Sequence, residues 1–110
     1  NMDINNIPFG ITNWAEIPTI RHTGDQGYAL WRTQQFDAIR VRMEEYSENY
    51  LADHWCSKGH ILLCLEGELH TELDDGRTFT LTAGMSYQVA DQAEAHRSST
   101  SKGAKLFIVD

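Results

Sequence analysis

The sequence predicts an all-β fold, a sandwich or a barrel. Three observations lead there. Short runs with period-two alternation recur along the chain, turn signals separate them at regular intervals, and no segment carries a helical apolar stripe with caps. The chain has 110 residues, which suits one domain, and 41% are hydrophobic, so a real core can form.

The elements follow in order. Residues 1–16, rich in Asn and broken by Pro8 and Gly10, read as an N-terminal arm, and residues 17–110 as a single β domain. Tyr28 to Phe36 and Ala38 to Tyr46 alternate as half-buried strands. In the second, Ile39, Val41 and Met43 share one face, while Arg40, Arg42 and Glu44 share the other. Ile61 to Leu65 is continuously apolar and reads as a central strand covered on both sides. Glu66-Gly67 marks a turn or bulge before a strand from Glu68 to Leu73. Asp74-Asp75-Gly76 is a hairpin signal, because Asp-Gly suits turns that need positive φ. Arg77 to Thr82 returns, Ala83-Gly84 turns again, and Ser86 to Ala90, Ala95 to Ser98 and Ala104 to Val109 complete the strands.

Charge and composition narrow the function. A net charge of −7 predicts neither nucleic-acid nor anionic-membrane binding, since both need clustered positive charge. The longest apolar run, Ile61 to Leu65, is too short to span a bilayer. Asn1 to Asn6 has no basic segment leading into an apolar one, so no secretory signal is read and a cytoplasmic location is expected. Two cysteines, Cys56 and Cys64, do not make a disulfide scaffold. Cys64 lies four extended residues, about 13 Å, beyond His60, so it is read as a small buried hydrophobe.

Four residues suggest chemistry: His54, Cys56, His60 and His96. Each can ligate a transition metal through nitrogen or sulfur. On an extended strand His54 and Cys56, two apart, aim at a common point. Gly59 lets the chain turn so that His60 returns to the same side. His96 joins them only if the sheet closes on itself.

These residues resemble the two motifs of the cupins, small antiparallel jelly-roll barrels (double-stranded β-helices). The first cupin motif carries two histidines at i and i+2, a glutamate, and a closing glycine. Gly67 matches that glycine, His60 stands at the glutamate, Cys56 at the second histidine and His54 at the first. Gly84 opens the second motif and His96 closes it. Asp53-His54-Trp55-Cys56 also resembles a small bacterial cupin subgroup named for an Asp-His-Cys-Trp motif. The departures fall on the ligands: cysteine for one histidine, histidine for glutamate, and a second motif one residue longer without its usual Pro and Gly. The resemblance implies one divalent transition metal (Zn, Fe, Ni, Mn or Cu) held by His54, Cys56, His60 and His96, with a homodimer and a small-molecule ligand as partners.

Several roles stay open. Cys56 is a thiolate ligand, an inert buried thiol, or a reactive thiol lowered by its neighbours. His60 is a ligand, an orienting partner, or an acid or base. Asp53 reads as a hydrogen-bonding or turn residue, Trp31 and Trp55 as core, His22 and His70 as exposed. Tyr87 either lines a cavity, as a substrate contact, or packs in the core, and Arg32, Arg40 and Arg42 either recognise an anion or pair with Glu44, Glu45 or Asp37 on a solvated face. Two function classes follow: a metal-dependent enzyme, dioxygenase- or isomerase-like, acting on a small and anionic molecule, or a non-catalytic metal- or ligand-binding module. An enzyme should show an open coordination position and a cavity reaching solvent. A closed site with four protein donors indicates the second class.

Overall fold

The computed structural model describes residues 4–110, so residues 1–3 of the expected arm lie outside the described part. A short 3-10 turn, Trp14–Glu16, is capped by the Asn13 side chain, which accepts from the Ala15 N–H. Nine strands follow: β1 Ile20–Thr23, β2 Tyr28–Phe36, β3 Ile39–Tyr46, β4 Tyr50–Leu51, β5 His60–Leu73, β6 Thr78–Thr82, β7 Ser86–Val89, β8 His96–Thr100 and β9 Ala104–Val109. All pair antiparallel.

β5 organises the rest. Its first half pairs with β9 and β7, and its second half with β8 and β6. One layer therefore runs β1-β2-β3-β9-β5-β7 and the other β4-β8-β5-β6, with β5 common to both. The Glu66-Gly67 signal is a bulge: the register with β9 shifts between Cys64 and Glu66, and Gly67 takes a φ of 77°. The two apolar runs flanking it are one bent strand. Among the described residues, no helix is long and apolar enough to cross a membrane.

The core lies between the layers. Leu62, Cys64 and Leu69 of β5, Leu81 of β6, and Ala104, Leu106 and Ile108 of β9 are buried together. Each such leucine contributes about 1.5–3 kcal/mol by leaving water. Ile61 and Leu65, expected to be covered, are 50% and 37% exposed, because β5 alternates and its odd-numbered residues face outward here.

β3 corrects a second expectation. Its charged face, read as solvated, points inward: Arg42 and Glu44 are 6% and 3% exposed. The apolar Ile39, Val41 and Met43 are half-buried on the outer side. That outer surface is partly covered by the N-terminal segment. Trp14 meets Phe107, the β9 partner of Met43, edge-on at 6.3 Å, and Ile17 O accepts from Arg32 Nε. With its apolar side sheltered from outside, the sheet is free to turn a polar row inward.

Candidate metal centre

Cys56 lies in the loop between β4 and β5, and His96 opens β8. The two are joined by a pair of backbone hydrogen bonds, Cys56 N–H to His96 O at 2.8 Å and His96 N–H to Cys56 O at 2.9 Å. His60 opens β5 opposite Val89 of β7. Gly59 permits this by close approach more than by turning. Its N–H donates to Asp91 Oδ1 at 2.7 Å, and a Cβ there would meet Asp91 N at 2.5 Å.

One ligand atom each from Cys56, His60 and His96 lies within 4.8 Å of the others. His96 Nδ1 donates to Glu94 O at 2.9 Å, which leaves the Nε2 lone pair free. That lone pair faces His60 Nε2 at 3.1 Å, and Tyr87 Oη lies 2.9 Å from the same His60 nitrogen. Burial, and then the neighbouring His96, pull His60 down to about 4, so its ring is neutral at neutral pH. Two imidazole nitrogens this close need a proton on one of them or a cation between them. Nitrogens sharing a metal at about 2.1 Å lie roughly 3.0 Å apart at a 90° ligand angle and roughly 3.4 Å apart at the tetrahedral angle, so the spacing is compatible with a shared ion. The His96 imidazole beside Cys56 holds its thiol below the ordinary range, which favours the thiolate form that binds metals. A thiolate with two imidazoles suits Zn, Fe, Ni or Cu and not Mg or Ca.

His54 is not in this group. Residues 52–59 form a loop whose only ladder contact is the Cys56 bridge, so strand alternation does not bring His54 and Cys56 together. The His54 side chain is 66% exposed, and its Nδ1 lies 2.7 Å from Asp53 Oδ1. His54 does line the mouth of the cavity that the three donors border.

That cavity has a volume of about 300 Å³ and is walled by polar residues of β3 and aromatic residues around them. Arg40 pairs bidentately with Asp110, Nε to Oδ1 at 2.9 Å and Nη2 to Oδ2 at 3.0 Å. Arg42 donates to Glu44 Oε2 at 2.7 Å and Asp110 Oδ2 at 2.9 Å, and its guanidinium lies 4.5 Å above the Trp31 ring. Tyr46 Oη donates to Glu44 Oε1 at 3.1 Å. Burial raises the Glu44 pKa, against the lowering effect of Arg42. The internal pairing weighed for these arginines is therefore present, with Glu44 as expected and Asp110 in addition, but inside the molecule and not on a solvated face. Arg32 pairs with Glu45 at 3.3 Å. Trp31 Nε1, Arg42 Nε and His60 Nδ1 are buried without a hydrogen-bond partner, so this wall has donors to offer. His22 is exposed, stacking on Trp31 at 3.9 Å, whereas His70, expected to be exposed, is half-buried with its Nδ1 3.0 Å from Thr80 Oγ1.

No family model matches the sequence, and no curated protein is significantly similar to it. Solved structures do match. A predicted oxalate decarboxylase from Thermotoga maritima superposes with a TM-score of 0.77 at 14% identity, over 91% of this chain and 96% of that one. A cupin-2 domain protein from Shewanella frigidimarina matches with a TM-score of 0.60 at 18% identity, over 73% of this chain and 78% of that one. The fold is that of the cupins. Fe(II)-HppE, solved with an alternative substrate, matches with a TM-score of 0.75 at 18% identity, and this chain, matched over its whole length, spans 62% of that one. At these identities the likeness is one of fold.

Sequence reasoning missed much of the cavity wall, in particular Glu44, Tyr46, Tyr50 and Lys58. The signal was present in β3, where Arg40, Arg42 and Glu44 alternate without interruption. Alternation alone does not say which face is inside. Tyr87 was weighed as a cavity residue, and it lines this cavity with its hydroxyl on His60.

Proposed function

We propose that this cupin holds one divalent transition metal through Cys56, His60 and His96 and acts as a metal-dependent enzyme on a small anionic molecule bound in the adjoining cavity. One observation carries the reading: three convergent donors, not four, border a cavity that reaches solvent. Three protein donors leave coordination positions for substrate, the arrangement of catalytic and not of closed structural sites. The likeness in fold to Fe(II)-HppE, solved with iron and a substrate, supports it.

The bound metal would supply Lewis acidity. The protein's own residues do the rest. Glu94 O, through Nδ1, holds the His96 ring with Nε2 inward. Tyr87 Oη is placed to hydrogen-bond a substrate oxygen beside His60. Arg40 and Arg42 balance Asp110 and Glu44, so fixed charges in the wall nearly cancel. The metal and Lys58, which lines the cavity, then supply the positive charge that draws an anionic group in. Glu44, buried and with a raised pKa, is the wall's candidate for accepting or donating a proton.

The test is elemental analysis of the purified chain and of His60→Ala, followed by an NMR screen of small carboxylates and phosphonates with Fe(II), Mn(II) or Zn(II), in air. About one metal per chain, lost in the variant, with metal-dependent conversion of at least one compound, is the expected result. Stoichiometric metal without conversion assigns the chain to the non-catalytic binding class. Absence of metal after loading under reducing conditions overturns both readings.

A further inference from the structure

A second cavity, of about 350 Å³, opens between β6 and β7. It borders the metal cavity: Tyr87 and His96 line both, so their side chains form the partition. Its walls are mostly apolar, with Leu73, Phe79, Leu81, Met85 and Val89. Phe79 and Met85 are about half exposed there, 49% and 48%, and leave apolar surface to water. The charged groups in the lining, Arg77 and Glu94, are paired with each other, and Arg77 also with Asp75. Among the buried polar side-chain atoms of the lining residues, one has no partner. Thr71 lines this cavity, the residue is 4% exposed, and its buried hydroxyl oxygen makes no hydrogen bond. A buried hydroxyl left unbonded is costly, and Val would fill the same space without that cost.

We propose that this cavity is a second small-molecule site, taking a compact, uncharged, largely apolar molecule whose one oxygen bonds Thr71. The volume lies in the range of ligand pockets, and an apolar wall with one or a few placed polar groups is the usual composition of such sites. The neutralised Arg77–Glu94 pair gives a charged ligand no unpaired partner. The hydroxyl can both donate and accept, so an alcohol, a phenol or a ketone satisfies it. This site does not depend on the metal reading.

The probe is 2-naphthol, titrated into the full chain with isotope-labelled Leu, Val, Ile and Met methyl groups and followed by NMR. Methyl signals of Leu73, Leu81, Met85 and Val89 should shift saturably, while those of Leu62 and Ile108, which line the metal cavity, should not. Val89→Phe, which fills the cavity, should weaken binding more than tenfold. Thr71→Val keeps the shape and should weaken it about 3- to 10-fold, the loss of one hydrogen bond. It also keeps the test valid should Val89→Phe disturb the fold. Shifts confined to Leu62 and Ile108, no saturable shift up to the solubility of the probe, or unchanged affinity in a folded variant overturns the proposal.

Discussion

Cys56 and His54 stand two residues apart with different surroundings. Cys56 is tied to His96 by two backbone hydrogen bonds, which carry its sulfur to the imidazoles of His60 and His96. His54 projects from the same loop toward solvent and is held by Asp53. Under the proposed ligand set the two respond differently to substitution. Cys56→Ser should reduce the metal content from about one per chain to a small fraction, since a neutral hydroxyl replaces a thiolate. His54→Ala should leave it near one per chain. Elemental analysis of both variants beside the parent checks this, and loss of metal in His54→Ala would return His54 to the ligand set. The types of these residues were legible as donors from sequence. Which three converge was not, because the i, i+2 argument assumes a strand and the segment is a loop.

At the scale of elements, the bend in β5 places the site. Its first half carries His60 in one layer, and its second half pairs with β8, whose first residue is His96. Gly67 makes the bend possible. It has positive φ, and a Cβ there would lie 2.2 Å from Gly103 O, a backbone atom that cannot step aside cheaply. Gly67→Ala should therefore lower stability by at least about 2 kcal/mol, from the left-handed conformation and the clash together. Urea unfolding followed by circular dichroism measures this, and a change below 0.5 kcal/mol would show that the bulge relaxes freely. The glycine and the bulge were both readable in the sequence. That the strand continues through the bulge was not, since a register shift is visible only with β9 alongside.

For the whole molecule, the closing contact is made by Asp110. Its carboxylate gathers Arg40 and Arg42 of β3, and Oδ2 lies 3.8 Å from His60 Nδ1 of β5. Burial would raise its pKa, but the hydrogen bond from Arg40 and the charge of Arg42 outweigh that and hold it below the usual carboxylate range. A depressed folded pKa means stability that is present above the unfolded value, about 3.9, and lost as pH falls through the folded one. Asp110→Asn should destabilise the chain at pH 7 by about 3 kcal/mol, because the buried guanidinium of Arg42 and the half-buried one of Arg40 lose a shared partner. The difference from the parent should stay constant between pH 6 and 8 and shrink below about pH 4. Thermal unfolding across that range tests it. A difference that persists undiminished at pH 2 would place the contribution in packing instead.

By itself the sequence determined the fold class, most strand positions, the hairpin at Asp74-Asp75-Gly76, the bulge glycine, the buried Cys64 and the donor types. These are local properties, written in alternation, turn residues and side-chain chemistry. Only the tertiary structure decided that the charged face of β3 lines the interior, that Ile61 and Leu65 face out, and that His54 stands apart from the other three donors. It also decided that Arg40 and Arg42 share Asp110. Alternation records that two faces differ and is silent on which one the sheet encloses. Pairings across 68 to 70 residues depend on how the sheet curls, which the sum of contacts sets and no local pattern records.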